Sequence, residues 1–185
     1  LTRGRLGLAA PVALIGLASF AWTGHAGGTE DILGHAHRIA DILHLVAAAV
    51  WLGALAILLR ALWSAEPEHG ELVRALHGFG RTGSLIVGIL AGTGMINLMA
   101  IAGPDALLTV WPTRYGQVLA AKLAFFGVML AYAALNRWRF TPNLTRAPSC
   151  SSAERAAMRA SVAIEALAAI AVIAAVAALG TLSPA

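Results

Sequence analysis

Long apolar runs separated by short polar stretches dominate this chain. Crossing the ~30 Å hydrocarbon core of a bilayer takes about 20 predominantly apolar residues in a helix. Five segments reach or approach that length, at residues 6–22, 39–62, 82–102, 117–138 and 161–182. No stretch alternates between apolar and polar residues with the period of two that is typical of membrane strands. The pattern predicts an all-α bundle of about five transmembrane helices, forming a single domain over residues 1–185.

The composition favours a bilayer as the main partner of the chain. Of its residues, 59% are hydrophobic and 12% are charged, whereas a soluble domain carries roughly 25% charged residues. The 13 Lys and Arg residues are scattered between the apolar runs, so we expect no nucleic-acid surface. The single cysteine, Cys150, allows neither a disulfide nor a site of several thiolates within one chain.

The placement of the basic residues predicts the orientation of the helices. Short loops rich in Lys and Arg stay in the cytoplasm. Ten of the 13 basic residues fall on one side of the predicted segments, and the other side has Arg38, Arg114 and Lys122. We therefore expect a multi-pass protein of the bacterial inner membrane, with its N-terminus inside and its C-terminus outside.

Four of the six histidines lie within twenty residues on the predicted outer side, at His25, His35, His37 and His44. If the second helix begins near residue 33, His37, Asp41 and His44 stand at positions i, i+4 and i+7, which is one stripe of a helix. Imidazole is a good ligand for copper or zinc, and Asp41 can bind the ion or orient His44. The alternative is a set of polar residues at a wet interface.

Sulfur ligands are expected from the third segment. Met95 and Met99 are four residues apart near its outer end, and thioethers favour Cu(I) over harder cations. At 1.5 Å per residue, Met95 and His44 are predicted at a similar depth, where they can face each other. Ordinary packing is the alternative for two methionines in a membrane helix. Together with the histidines, they favour copper, as Cu(I), as the bound ion.

Charged residues inside the predicted helices each require a partner or a function, because an unpaired charge is costly in a bilayer. Asp41 and Lys122 are expected to pair, or Lys122 to reach the interface. Glu165 lies near the depth predicted for Asn136 and Arg137, and a structural tie between Glu165 and Arg137 is expected, with a proton or ion relay as the alternative.

The chain has no phosphate-binding glycine loop, Ser/His/Asp arrangement or HExxH motif, so it is not expected to be an enzyme.

Motifs along the chain resemble those of the copper resistance protein D (CopD/PcoD) family. The resemblance covers roughly residues 20–184, in a set of motifs that occurs in the order of that family. They are TGHA at 23–26 with DILH at 41–44 and AAAVWLGAL at 47–55, GTGMIN at 92–97, YGQVLAAKL at 115–123, LNRWRFTP at 135–142, and SVAIE at 161–165 with GTLSP at 180–184.

The resemblance implies an inner-membrane protein of copper resistance and homeostasis. It would transport copper from the periplasm toward the cytoplasm and receive it from a periplasmic copper chaperone of the CopC type. His25, His44 and Trp51 match positions characteristic of the family, whereas His35 and His37 are inferred from local spacing alone. Full-length members resemble an eight-helix bundle, so the chain is expected to be the C-terminal part of a longer protein, and a homo-oligomer is an open alternative.

Two other functions remain compatible with the sequence. A b-type haem electron-transfer protein also consists of a membrane helix bundle with histidines, but it needs two axial histidines at matching depth. Only His44 is predicted well inside the membrane. A structural subunit that binds no metal is the other alternative.

Overall fold

In the described part of the chain, all regular secondary structure is helical, which confirms the predicted all-α class. The computed structural model describes residues 32–63, 69–103, 109–146 and 151–183, together with Gly16 and Ser19. Apart from Gly16 and Ser19, the first predicted segment, 6–22, lies outside the described residues, as does His25. The helices are α1 (Ile32–Trp63), α2 (His69–Ala102), α3 (Arg114–Leu135), a π-helical segment (Asn136–Phe140), α4 (Thr141–Arg146) and α5 (Ser152–Leu179).

Four helical stretches are long and apolar enough to cross a membrane. They correspond to the second, third, fourth and fifth predicted segments, and they cover Gly34–Trp63, Thr82–Ile101, Arg114–Asn143 and Ser152–Leu179. Each helix also continues beyond the apolar run that predicted it, because helical hydrogen bonds form within the chain and do not require lipid. The chain is therefore a multi-pass membrane protein.

The start of α1 determines where the predicted histidine stripe lies. This helix begins at Ile32, one residue before the start near residue 33 that the predicted stripe requires. His37, Asp41 and His44 consequently lie on one continuous helix at the predicted spacing.

The described residues divide into two compact units. The first unit comprises those within Leu1–Val50 and Leu85–Pro104, and the second comprises those within Trp51–Ser84 and Asp105–Ala185. Buried apolar residues of the first unit include Ala40, Ala47, Ile86 and Leu90, and those of the second include Trp51, Leu55, Leu62, Met158 and Val162. In the second unit, α3 packs against α5.

Local contacts define where α3 and α5 begin. The Thr113 hydroxyl accepts a hydrogen bond from the backbone N–H of Gly116, and an added Cβ at Gly116 would overlap the backbone carbonyl of Val110. At the start of α5, the Ser151 hydroxyl accepts from the backbone N–H of Glu154, and the Glu154 carboxylate accepts from the backbone N–H of Ser151. This reciprocal capping box satisfies backbone donors that have no partner within the helix.

Candidate functional site

Two pairs of polar side chains join α1 and α2 within the first unit. The Asn97 amide donates to the Asp41 carboxylate at 3.2 Å, and the His44 ring nitrogen Nδ1 lies 2.9 Å from the Thr93 hydroxyl. As the residue number rises from 41 to 44 along α1, the partner number falls from 97 to 93 along α2. The helices are therefore antiparallel here, and the polar pairs are successive contacts along one helix–helix face.

The hydrogen bonds of Thr93 favour one tautomer of His44. Thr93 has one hydroxyl proton, and the backbone carbonyl of Ile89 lies within hydrogen-bond distance of it. With that proton on the carbonyl, the Thr93 oxygen accepts from Nδ1 of His44. A neutral imidazole protonated on Nδ1 carries its acceptor lone pair on Nε2. The arrangement therefore places the metal-binding lone pair of His44 on a defined atom.

The Asp41–Asn97 pair supplies oxygen acceptors next to His44 along the same face. The Asn97 oxygen Oδ1 is buried and, within the described part of the chain, has no hydrogen-bond partner. A buried acceptor that lacks a donor is costly. A ligand that brings a proton donor or a positive charge would remove that cost.

The remaining predicted α1 ligands lie on different faces of the helix. His35 is exposed, whereas His37 is 8% exposed and belongs to the stripe with Asp41 and His44, which are partly buried. Over the described ranges, no group of three or more His, Cys, Asp or Glu side chains is close enough to hold one metal ion. Ligation by His35, His37 and His25 remains a prediction, and His25 lies outside the described residues.

The predicted methionines lie away from the α1–α2 contact. Met95 is 50% exposed and Met99 is 48% exposed. At about 100° of rotation per residue, Met95 stands roughly 160–200° around α2 from Thr93 and Asn97. Thr93 and Asn97 face α1, where Met95 was expected. The structure therefore does not bring the thioethers together with His44.

The predicted tie between Glu165 and Arg137 is replaced by hydrogen bonds to other partners. Glu165 accepts from the Asn136 amide at 2.9 Å and from the Trp51 indole at 3.0 Å, in place of the expected tie to Arg137. The Arg137 guanidinium donates to the Ser84 hydroxyl instead.

Asp41 and Lys122 were expected to pair, or Lys122 to reach the interface, and this stays a prediction. Within the first unit, the Asp41 carboxylate accepts a hydrogen bond from the neutral amide of Asn97. Lys122, in the second unit, is half-buried.

Sequence reasoning missed Thr93, and it gave Trp51 and Ser161 no specific contact. Thr93 stands four residues before Asn97, so both lie on one face of α2. The only sequence signal for Thr93 was its polar side chain at helical spacing from Asn97. Trp51 and Ser161 lie in motifs of the resembled family, but their contacts were not predictable because they depend on which helices are neighbours.

Together, these features define a class: a multi-pass helical membrane protein with an imidazole and a carboxylate at a helix–helix contact inside a membrane-length span. The sequence model of the family described as copper resistance protein D matches residues 73–179, which is more than half of the chain. The chain belongs to the copper resistance protein D family, and this confirms the predicted resemblance.

Three characterised relatives are similar over much of the chain. Copper resistance protein D of Pseudomonas syringae pv. tomato is 40% identical over 92% of this chain and 56% of its own length. Inner membrane protein YebZ of Escherichia coli (strain K12) is 32% identical over 67% of this chain and 42% of its own length. Copper transport protein CutJ of Bacillus subtilis (strain 168) is 31% identical over 65% of this chain and 22% of its own length.

The chain spans about half the length, or less, of the curated relatives it matches. No solved structure matches it. These matches make it a membrane protein of a copper-resistance family.

Proposed function

We propose that this chain binds a copper ion in the inner membrane through Nε2 of His44 and passes it from the periplasmic side toward the cytoplasm. The observation that carries the proposal is the hydrogen bond between His44 Nδ1 and Thr93. Proteins orient metal-binding histidines by such a bond to the second ring nitrogen. Imidazole nitrogen is a good ligand for copper.

The neighbouring oxygens make the same face attractive to a cation. The Asp41 carboxylate lies beside the His44–Thr93 pair, as does the Asn97 oxygen, for which the described residues supply no hydrogen-bond donor. A carboxylate lowers the energy of a nearby positive charge. His37, one turn before Asp41 on α1, is on the same stripe. A copper ion moving along this stripe would meet a potential ligand side chain at each turn of the helix.

The site requires ligands beyond His44 and Asp41. We expect them from His25 or from a second copy of the chain. Met95 and Met99 are exposed thioethers on α2, and they support Cu(I) as the transported form because soft ligands select it. The role proposed is binding and movement of an ion, without catalysis.

The names of the relatives support the same role. Two of them are named for copper resistance and copper transport, and a third is named as an inner membrane protein. Because the chain covers only part of each, we assign the whole transport cycle to a larger assembly. Delivery by a periplasmic copper chaperone of the CopC type belongs to this proposal.

Copper stoichiometry in purified protein tests the site. Detergent-purified wild type, His44→Ala and His77→Ala are loaded with Cu(I) under reducing conditions, washed with a moderate chelator and measured by elemental analysis. His77 lies outside the apolar span of α2, so His77→Ala is the matched histidine control.

We expect about one copper per chain in wild type and in His77→Ala, and loss of copper in His44→Ala, since ligand removal abolishes binding. Equal retention in wild type and His44→Ala would contradict His44 as the ligand. No retention in any of the three would contradict a copper site in this chain.

A further inference from the structure

A second buried polar cluster lies in the second unit, and the proposed copper site uses none of its residues. Glu165 on α5 is 1% exposed and accepts from Trp51 on α1 and from Asn136 at the start of the π-helical segment. Ser161, one turn before Glu165, donates to the Asn136 oxygen at 2.6 Å. A carboxyl group this deeply buried in a membrane-length helix calls for a function or a compensating charge.

Within the described part of the chain, both hydrogen-bond donors to Glu165 are neutral side chains. Besides Glu165, the described ionisable side chains of the second unit are Arg60, Arg114, Tyr115, Lys122, Tyr132, Arg137, Arg139, Glu154, Arg155 and Arg159. Arg137 donates to Ser84, and the Arg159 guanidinium lies 5.4 Å from the centre of the Trp63 ring.

The indole of Trp51 determines which oxygen of Glu165 can carry a proton. An indole N–H is a donor only, so Oε1, which lies 3.0 Å from it, must act as an acceptor in every protonation state. The hydroxyl oxygen of a carboxylic acid is a weaker acceptor than its carbonyl oxygen, so the contact with Trp51 favours a proton on Oε2, the oxygen that lies 2.9 Å from the Asn136 amide.

The Asn136 amide can satisfy both states of Oε2. With Glu165 ionised, the amide NH₂ donates to Oε2 and the amide oxygen accepts from the Ser161 hydroxyl. After a 180° turn of the amide, its oxygen accepts a proton from Oε2 and its NH₂ donates to the hydroxyl of Ser161, which can donate or accept. In both states Oε2 and the two polar ends of the Asn136 amide keep a hydrogen-bond partner, which lowers the cost of changing the charge of Glu165.

We propose that Glu165 is a proton-binding site of the bundle, at which Oε2 takes up and releases one proton while the Asn136 amide turns over. Uptake forms one O–H bond between Oε2 and a proton supplied by water, and it changes the carboxyl group from −1 to neutral. Release reverses both changes. The ligand is a proton, so this proposal stands independently of the copper site.

Infrared difference spectra across a pH titration test the proposal on the full chain in lipid nanodiscs. We expect a carbonyl band of a protonated carboxyl group to appear in wild type as the pH falls. The band should be absent from Glu165→Gln, which resembles the protonated form in shape and hydrogen bonding. It should remain in Glu154→Gln, the matched control, because Glu154 is exposed at the start of the same helix.

A band unchanged in Glu165→Gln would overturn the proposal, and so would the absence of any titrating band in wild type. If Glu165→Gln fails to fold, Ser161→Ala tests the same proposal, because it removes the hydroxyl group that contacts the Asn136 amide. We expect it to shift the band position, and an unshifted band would overturn the proposal. Copper stoichiometry of the same samples separates this test from the copper site, since copper retention should match wild type in both variants.

Discussion

At the scale of single residues, the hydroxyl group of Thr93 decides which nitrogen of His44 is offered to a metal. The hydroxyl donates to its own helix and accepts from His44 Nδ1 across to the neighbouring helix. Without it, the neutral imidazole is free to place its proton on either nitrogen. Only one of these tautomers presents Nε2 as a ligand.

Replacing Thr93 with valine keeps the shape of the side chain and removes its hydroxyl oxygen. We expect Thr93→Val to lower copper affinity about 10–100-fold, the usual effect of losing a group that orients a metal ligand. Chelator competition on purified protein measures the change. Thr82→Val is the matched control, because the Thr82 hydroxyl also donates to a carbonyl of its own helix but lies on an exposed part of α2. Equal loss of affinity in both variants would refute the assigned role of Thr93.

The site could be predicted from the sequence only in part. Spacing alone placed His37, Asp41 and His44 on one stripe, and the structure confirms that arrangement on α1. The partners of these residues were not predictable, because apolar side chains face both lipid and neighbouring helices in a membrane bundle. Hydrophobicity therefore did not show that Thr93 faces α1 while Met95 is exposed.

At the scale of secondary-structure elements, the apolar runs predicted four of the described helices but not their full extents. Hydropathy detects the part of a helix that lies in hydrocarbon, whereas α2 begins at His69 and α5 at Ser152, in polar sequence. The π-helical turn at Asn136–Phe140 was also not predictable, since its pattern of i to i+5 hydrogen bonds has no simple residue signature. Such turns often occur at functional sites, and this one begins at the amide that contacts Glu165.

Two glycines of α3 provide a matched test of its packing. A Cβ at Gly116 would overlap the backbone of Val110, whereas a Cβ at Gly127 would meet no atom within 4 Å. We expect Gly116→Ala to destabilise the protein by about 1–3 kcal/mol, as overpacking does. Gly127→Ala should be neutral or stabilising, because alanine favours a helix by up to about 1 kcal/mol over glycine.

Thermal unfolding in detergent measures both variants. Because the helix propensity gained is the same in each, the difference between them isolates the contact with Val110. Equal melting temperatures would show that the start of α3 does not pack as described.

At the scale of the whole molecule, the distribution of basic residues predicts a cytoplasmic N-terminus. Cys150 is the single cysteine of the chain, and it precedes α5 in a part of the sequence that is predicted to be cytoplasmic. We expect a membrane-impermeant thiol reagent to label Cys150 in inside-out vesicles and not in intact spheroplasts. The matched variant carries Ser183→Cys in a Cys150→Ser background and should show the opposite pattern. Labelling of Cys150 from outside would reverse the predicted orientation and the proposed direction of copper movement.

The neutral hydrogen-bond donors to Glu165 have a consequence for energetics across the membrane. A proton that reaches this residue crosses part of the electric field of the bilayer, and moving one charge across the whole membrane changes its free energy by about 2.3 kcal/mol per 100 mV. Because both hydrogen-bond donors to Glu165 are uncharged, their rearrangement moves no further charge with the proton. Protonation of Glu165 would therefore respond to the membrane potential, and an energised cell would hold this carboxyl group in a different average state from a depolarised one.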